Sequence, residues 1–335
     1  MNTVLTTALD GLALGEVQTS GPLMLIPILA APVEGPDCIS LAQAVRDKVV
    51  EIREINEGGS VPELQIHSTA TVPILIIDGE ELAGAKQNRA VNTSILVPAG
   101  KDMTIPVSCT EQGRWHYSTP VFENSDEVLA MKARRGKMRS VSENLRAEQR
   151  YASDQCRVWE DIADMQSEAA VHSPTGAMRD VYTARAGDFR ERMNAFRPVD
   201  GQRGFVFVAH GNVTGAEFVS SPAAYTDLHD KLVRSYMSEH LNIVTTAPPL
   251  NQNQATAAAK KFIKAIEGLD ETSFPGVGLG TEYRIEDAAH CAAALVHEST
   301  CIHFAAFADE SENNTRAMEM RNVTERRRTM RRRRN

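Results

Sequence analysis

Between residues 79 and 92 the chain reads GEELAGAKQNRAVN, with Glu80, Glu81, Lys86, Gln87, Asn88, Arg89 and Asn92 crowded around Gly79 and Gly84. Arg89 presents a planar fork of donors that matches a phosphate or carboxylate, a geometry lysine cannot reproduce. Gln87, Asn88 and Asn92 each donate and accept, which reading an amide, a nucleobase edge or a sugar hydroxyl requires. Glu81 is suited to accept ribose hydroxyls or to act as a general base. Gly79 and Gly84 let backbone come close to a ligand. The competing expectation is a loop whose polar side chains cap their own backbone, with Arg89 ion-paired to Glu81. Such density beside apolar runs keeps the ligand-facing reading level with the structural one. Neither G-x-G-x-x-G nor G-x-x-x-x-G-K-[ST] occurs, which excludes a standard phosphate-cradling loop.

A second stretch, CTEQGRWH at 109–116, places Cys109 near His116. No activating environment is visible for the thiol, so a nucleophilic Cys109 is not expected. Trp115 can stack on a base or sugar or fill the core, and the core is the expectation. Trp159 lies in helical texture and reads as packing. Glu282 and Arg284 alternate on one strand face as an ion pair. His290, His297 and His303 accompany Cys291 and Cys301 in the last strand-like stretch, with His297 and His303 able to oppose one another across Glu298-Ser299-Thr300. No H-x-x-x-H occurs there, and neither a metal nor a cofactor is expected.

The elements that must hold these residues read in order along the chain. Residues 21–31 form an apolar strand whose Pro27 suggests an edge or a bulge. A helix is expected from Pro36 to about Asn56, stopped by Gly58-Gly59. Strands follow at 64–68, 72–77, 93–97 and 103–109, joined by connections too short for crossover helices and therefore antiparallel. Ser125, Asp126 and Glu127 suit a helix N-terminus, and helical texture continues until Pro174-Thr175-Gly176 breaks it and Met178–Phe196 resumes it. A second strand-rich part opens at Gly204, followed by a helix from Pro222, a short strand at 241–246, a helix at 253–269 and closing strands to 307. IIDGEELAGA at 76–85 and FVAHGNVTGAEF at 207–218 resemble one another as a glycine-driven repeat or as two ordinary turns. The expected fold is α+β, with mixed, mainly antiparallel sheets from two strand-rich parts (about 21–110 and 204–307) and helices inserted between them. One domain at 1–308 is expected, divisible into subdomains 1–122 and 200–308 joined by the helical segment 123–199.

The 335 residues suffice for a large core, filled mainly by aliphatic side chains because aromatics make up only 5%. From residue 316 onward nine Arg stand against Glu319 and Glu325. Subtracting that +7 from the chain's −8 leaves −15 for residues 1–315. So acidic a body argues against a broad nucleic-acid-binding face. Nucleic acid is expected only through the Arg-rich tail at 316–335, if at all; 309–335 is otherwise expected to be disordered. Cys38, Cys109, Cys156, Cys291 and Cys301 form no C-x-x-C pair, which suits a reducing compartment. No signal-peptide pattern or membrane-length apolar run is present, and a cytoplasmic location is expected.

The segments GEELAGAKQNRAVN at 79–92 and VSCTEQGRW at 107–115 resemble the ARG and rhodanese-phosphatase-superfamily associated protein domain, where ARG stands for ADP-ribosylglycohydrolase. GFVFVAHGNVTGAEFVSS at 204–221, KLVRSY at 231–236, VGLGTEYR and IHFAAF extend the resemblance to about Ala308. The Arg-rich tail lies outside that pattern. The resemblance implies a nucleotide- or ADP-ribose-linked role and a functional link to ADP-ribosylglycohydrolases or rhodanese-like phosphatases, by association rather than mechanism. It carries over Glu81, Gly84, Gln87, Asn88, Arg89 and Asn92, and also Glu111 and Trp115. The resulting expectation is a protein that binds or processes an ADP-ribose-like or other nucleotide-derived small molecule, with a hydrolase among the outcomes and Glu81 as its catalytic residue. A non-catalytic interaction or scaffold module in a nucleotide-linked or prokaryotic conflict system is the alternative, and tail-mediated nucleic-acid binding is the third.

Overall fold

The computed structural model describes residues 6, 11–30, 36–242 and 250–309. Among them are eighteen strands and seven α-helices. The strands are β1 (Ala13–Leu14), β2 (Gln18–Ser20), β3 (Leu23–Leu29), β4 (Ile39–Ser40), β5 (Val50–Glu54), β6 (Glu63–Ser68), β7 (Ile74–Ile76), β8 (Glu80–Gly84) and β9 (Arg89–Val91). They continue as β10 (Ile95–Val97), β11 (Asp102–Cys109), β12 (Phe122–Val128), β13 (Gln202–Ala209), β14 (Asn212–Val219), β15 (Glu271–Pro275), β16 (Thr281–Glu286), β17 (His290–His297) and β18 (Thr300–Ala308). The helices are α1 (Leu41–Arg46), α2 (Met131–Glu148), α3 (Gln155–Ala169), α4 (Arg179–Ala184), α5 (Ala186–Met193), α6 (Pro222–Met237) and α7 (Gln252–Glu267). The architecture is α+β with mainly antiparallel sheets.

A nine-stranded antiparallel sheet runs β1-β3-β13-β14-β18-β17-β16-β15, with β2 also on β3. Its strands alternate cleanly, as the two-residue strand period requires. Leu23, Leu25, Phe205, Phe207, Leu295 and Phe307 face α2 and α6 on one side. Met24, Ile26, Val206, Val208, Phe304 and Ala306 face α7 on the other, met by Ala255, Ala259, Phe262 and Ile266 at helical spacing. β3, from the first strand-rich part, pairs along its length with β13 of the second, so the two parts share this sheet. Pro27 sits where β1 and β2 leave a gap on β3, and its carbonyl accepts from the Gly15 amide at 2.8 Å. The missing proline N–H is thereby harmless.

The other strands build a closed antiparallel barrel, β11-β6-β5-β12-β8-β9, and a three-stranded sheet, β10-β7-β4, in which β4 and β7 are parallel. Ile52, Leu64, Ile66, Leu82, Val91 and Val107 of the barrel pack with Ile74, Ile76, Ile95 and Val97 of the small sheet in one core.

Two expected helices are corrected. The helix expected to reach Asn56 ends at Arg46, and Val50–Glu54 is a barrel strand instead. Lys48 breaks the helix with φ of 58°, and the β-branched Val49, Val50 and Ile52 gain more from pairing with β6 than from a helical face. Ser125–Glu127 belong to β12 rather than to a helix start, and the helix begins at Met131. The apparent repeat has no common topology: 76–85 passes from the small sheet into the barrel, whereas 207–218 is the β13–β14 hairpin. The strand expected at 241–246 falls mostly, and the tail at 310–335 wholly, outside the described residues.

The sheet, the barrel and α2 meet on a buried ionic network. The Lys137 ammonium donates to Asp78 and to the Asn92 carbonyl. Arg134 Nη1 donates to Glu217 Oε1 at 2.6 Å, and its Nε lies 3.7 Å from Asp78 Oδ2. Tyr236 donates to the same Glu217 oxygen, while His303 Nε2 stands 3.2 Å from the other. Ser94 joins His303 Nδ1 to the Asp78 amide. Arg284 and Glu282 form the expected ion pair at 3.0 Å, bound to Thr93. Burial works against charge on Glu217, but Arg134 and His303 outweigh it and hold the carboxyl below its usual range.

Removing one partner from such a cluster leaves an uncompensated buried charge. Arg134→Met is expected to lower unfolding free energy by about 3–5 kcal/mol in urea titration; a change under about 1 kcal/mol would mean the network does not bind these layers together.

Candidate functional site

The 79–92 segment forms the β8–β9 corner of the barrel, and it is buried almost throughout. Glu81 is fully buried on β8, with Thr110 Oγ1 donating to one carboxylate oxygen and Ser125 Oγ to the other, both at 2.8 Å. Burial pushes its carboxyl up, and the two hydroxyls only partly offset that. Asn88 Oδ1 accepts from the Gly84 amide and from Arg114, while the Asn88 amide donates to Glu111. Gln87 passes a hydrogen bond from Arg89 on to the Glu111 carbonyl. Asn92 donates to the Tyr151 carbonyl and accepts from Ser108. Gly84 has φ of 107°, and a Cβ there would collide with the Thr119 hydroxyl.

Arg89 faces Glu54 across 3.8 Å inside the barrel, not Glu81. Its Nε and Nη2 and both Glu54 oxygens lack hydrogen-bond partners. The guanidinium lies 5.4 Å from the Trp115 ring, which also stacks with the Lys86 ammonium. Trp115 is therefore not a core residue as expected: it is 46% exposed and caps the buried Arg89 from outside. Cys109 is buried and its thiol is pushed up to about 11, which removes it as a thiolate nucleophile. All five cysteines are free.

Arg114 ties the corner to the loop beyond it. Its guanidinium meets Glu111 at 2.6 Å and also donates to the Gly84 and Ala85 carbonyls. Burial opposes the charged form of Glu111, but hydrogen bonds from Arg114, Thr175 and the Asn88 amide outweigh it and hold the carboxyl below its usual range.

Outside this corner, two adjoining clefts separate the barrel from α4, α5 and α6. The larger, about 520 Å³, is lined by residues 123–127 of β12 with Arg179, Tyr182, Arg190, Asp230 and Arg234. The smaller, about 260 Å³, is lined by Gly84, Asn88, Glu111, Arg114, Thr175 and Asp180. Ala83, Glu123 and Arg179 belong to both, so Arg179 stands at their junction. Of the sequence-predicted residues, Gly84, Asn88 and Glu111 reach this space. Glu81 and Gln87 stand behind it, bonded to the lining residues Ser125 and Glu111. Arg89 and Asn92 are bonded to residues that line neither cleft, and Trp115 lines neither. Arg179, Arg190 and Arg234 escaped sequence reasoning because each is one of several charges on a helix, and charged residues on helices are ordinary. Glu127 escaped it because Ser-Asp-Glu imitates a helix cap.

His297 and His303 do not oppose one another: the turn is only Glu298-Ser299, so His297 pairs with Thr300, and His303 pairs with Leu295. Among the described residues no group of three or more His, Cys, Asp or Glu is placed to hold a metal ion. No helix among them is long and apolar enough to cross a membrane.

Residues 11–307 match the family model of the ARG and Rhodanese-Phosphatase-superfamily-associated Protein domain, ARPP-1, and the chain belongs to that family. Comparison with curated proteins and with solved structures finds no match.

Arg89→Ala leaves Glu54 buried without its cation, so a loss of about 3 kcal/mol in chemical denaturation is expected together with a shift in Trp115 emission. Arg179→Ala, on an exposed side chain, is expected to stay within about 0.5 kcal/mol of wild type. Equal stability of both variants would remove the structural role assigned to Arg89.

Proposed function

We propose that this ARPP-1 family member binds a nucleotide-derived small molecule of the ADP-ribose type in the paired clefts between the barrel and α4–α6. The observation that carries the reading is the position of Arg179 at the junction, with Arg190 and Arg234 lining one cleft and Arg114 the other. The donors of Arg114 are taken up by Glu111, Asn88 and the Gly84 and Ala85 carbonyls, so the forked donors that suit a diphosphate are those of Arg179 at the junction with Arg190 and Arg234 beyond it. Carboxylates at Glu123, Asp126 and Asp230 are acceptors for ribose hydroxyls. The larger volume lies in the range of small-molecule sites. Gly84 and Asn88 contribute the wall, so the 79–92 segment acts chiefly by shaping the cleft. Glu81, whose oxygens are both engaged by hydroxyls, positions Ser125 rather than touching the ligand. Processing of the bound molecule by a hydrolytic reaction belongs to the same proposal, as does a functional link to ADP-ribosylglycohydrolases or rhodanese-like phosphatases, which rests on the family's description.

The burial of Glu81, Gln87, Arg89 and Asn92 favours a second reading, a non-catalytic interaction module in which this segment is a structural hub. Calorimetric titration with ADP-ribose separates the two. Binding by the wild type, weakened roughly 10- to 100-fold in Arg179→Ala at unchanged stability, is the expected outcome for loss of one charge-assisted contact. Absence of binding heat and of any thermal shift would overturn the ligand reading in favour of the module.

A further inference from the structure

Strand β12 departs from regular pairing at one place. Asn124 pairs with Leu82 and Val128 with Glu80, so Ser125, Asp126 and Glu127 all stand opposite the single residue Glu81. An irregularity of this kind bends a strand and re-aims its side chains, and such bulges collect beside functional sites. Here its consequence is specific. Ser125 turns inward to donate to Glu81, and its hydroxyl also accepts from the Glu127 amide. Glu127 is thereby held with its carboxyl on the wall of the larger cleft.

The surroundings of that carboxyl do not suit a charged group. Glu127 Oε2 is buried and has no hydrogen-bond partner, and its nearest cation, Arg234 Nε, stands 3.5 Å away without a hydrogen bond. The groups facing it come from every neighbouring element: Arg234, Lys231 and Asp230 from α6, Glu81 from β8, Asp126 from its own strand, Tyr182 and Arg179 from α4, and Arg190 from α5. Burial raises the carboxyl most, Arg234 lowers it, and Glu81 and Asp126 raise it again, with the balance at about 7. No histidine lines either cleft.

We propose that Glu127 enters the ligand complex as an uncharged acid and donates its proton, as a hydrogen bond, to an oxygen of a bound diphosphate-containing ligand. This rests on the cleft reading above. An ionised Glu127 would repel the diphosphate, whereas the acid form carries a proton to donate. The linkage sign follows directly. A ligand that binds the protonated form draws a proton onto the protein, so affinity is full below pH 7 and declines above it. With a free-state value of about 7, the protonated fraction falls about tenfold between pH 6 and pH 8, and apparent affinity falls with it.

The test is calorimetric titration of the full chain with ADP-ribose, whose phosphates stay ionised across this range, at pH 6 and pH 8 in buffers of different ionisation enthalpy. The wild type is expected to lose about tenfold in affinity at pH 8 and to take up close to one proton there. Glu127→Gln, which keeps a donor without a charge, is expected to bind at both pH values with the wild-type pH 6 affinity. Wild-type binding of equal strength at pH 6 and pH 8 without proton uptake overturns the role of Glu127 and leaves the cleft reading standing. That measurement needs no variant, so a Glu127→Gln protein that failed to fold would not shelter the proposal. Absence of binding at either pH overturns both.

Discussion

Three acidic and three basic side chains, Asp78, Glu217 and Glu282 with Arg134, Lys137 and Arg284, are enclosed with at most 1% of their surface exposed. Each charge forgoes water, a cost that is recovered only if every partner stands in place. Such a cluster adds little net stability compared with well-packed apolar residues. It does specify geometry, because a slipped arrangement would strand a charge in a low-dielectric interior. In this fold the partners come from different layers: Asp78 from the turn into the barrel, Arg134 and Lys137 from α2, and Glu217, Glu282 and Arg284 from the large sheet. Gly79 shows how closely they meet, since a Cβ there would come within 2.8 Å of the Arg134 side chain. The constraint therefore sets where α2 begins and how the barrel lies on the sheet.

That placement reaches the cleft through short connections. α2 follows β12 by two residues, so fixing Arg134 and Lys137 also fixes the end of the strand that carries Ser125–Glu127. On the other wall, Lys231 of α6 donates to Glu80 Oε1 at 2.8 Å and to the Ser125 carbonyl, while Ser235 donates to the Leu129 carbonyl. The helix bearing Asp230 and Arg234 is thus bolted to the strand bearing Glu127. Preorganisation of this kind lets a binding site hold charged side chains apart without collapsing them onto one another. The Glu81–Thr110–Ser125 hydrogen bonds do the same work at the β8–β12 seam.

Much of this was legible from residue pattern, for physical reasons that differ by element. The apolar runs at β3 and β13 and the Ala-rich β17 and β18 announced a buried sheet because such strands carry no polar face. The density of polar groups at 79–92 was also plain, but its direction was not. Arg89 looks the same in sequence whether it meets phosphate or a buried Glu54, because the partner lies 35 positions away. Val49, Val50 and Ile52 satisfied helical spacing, yet barrel closure with β6 decided their conformation, a tertiary effect beyond local propensity. Ser125–Glu127 misled in the same way: a cap-like composition became a strand irregularity once β8 was beside it. The cleft arginines left no distinguishing signal, since several charges on a helix are ordinary.

The central claim is that ligand binding occurs between the barrel and α4–α6 while the 79–92 corner serves as wall. Hydrogen–deuterium exchange with and without ADP-ribose tests it most directly, because the readout is spatial. Slowed exchange at 118–127 and 179–193, with the already protected amides of 87–92 unchanged, is the result predicted. Protection elsewhere with those segments unaffected, or no change anywhere at saturating ligand, would contradict it.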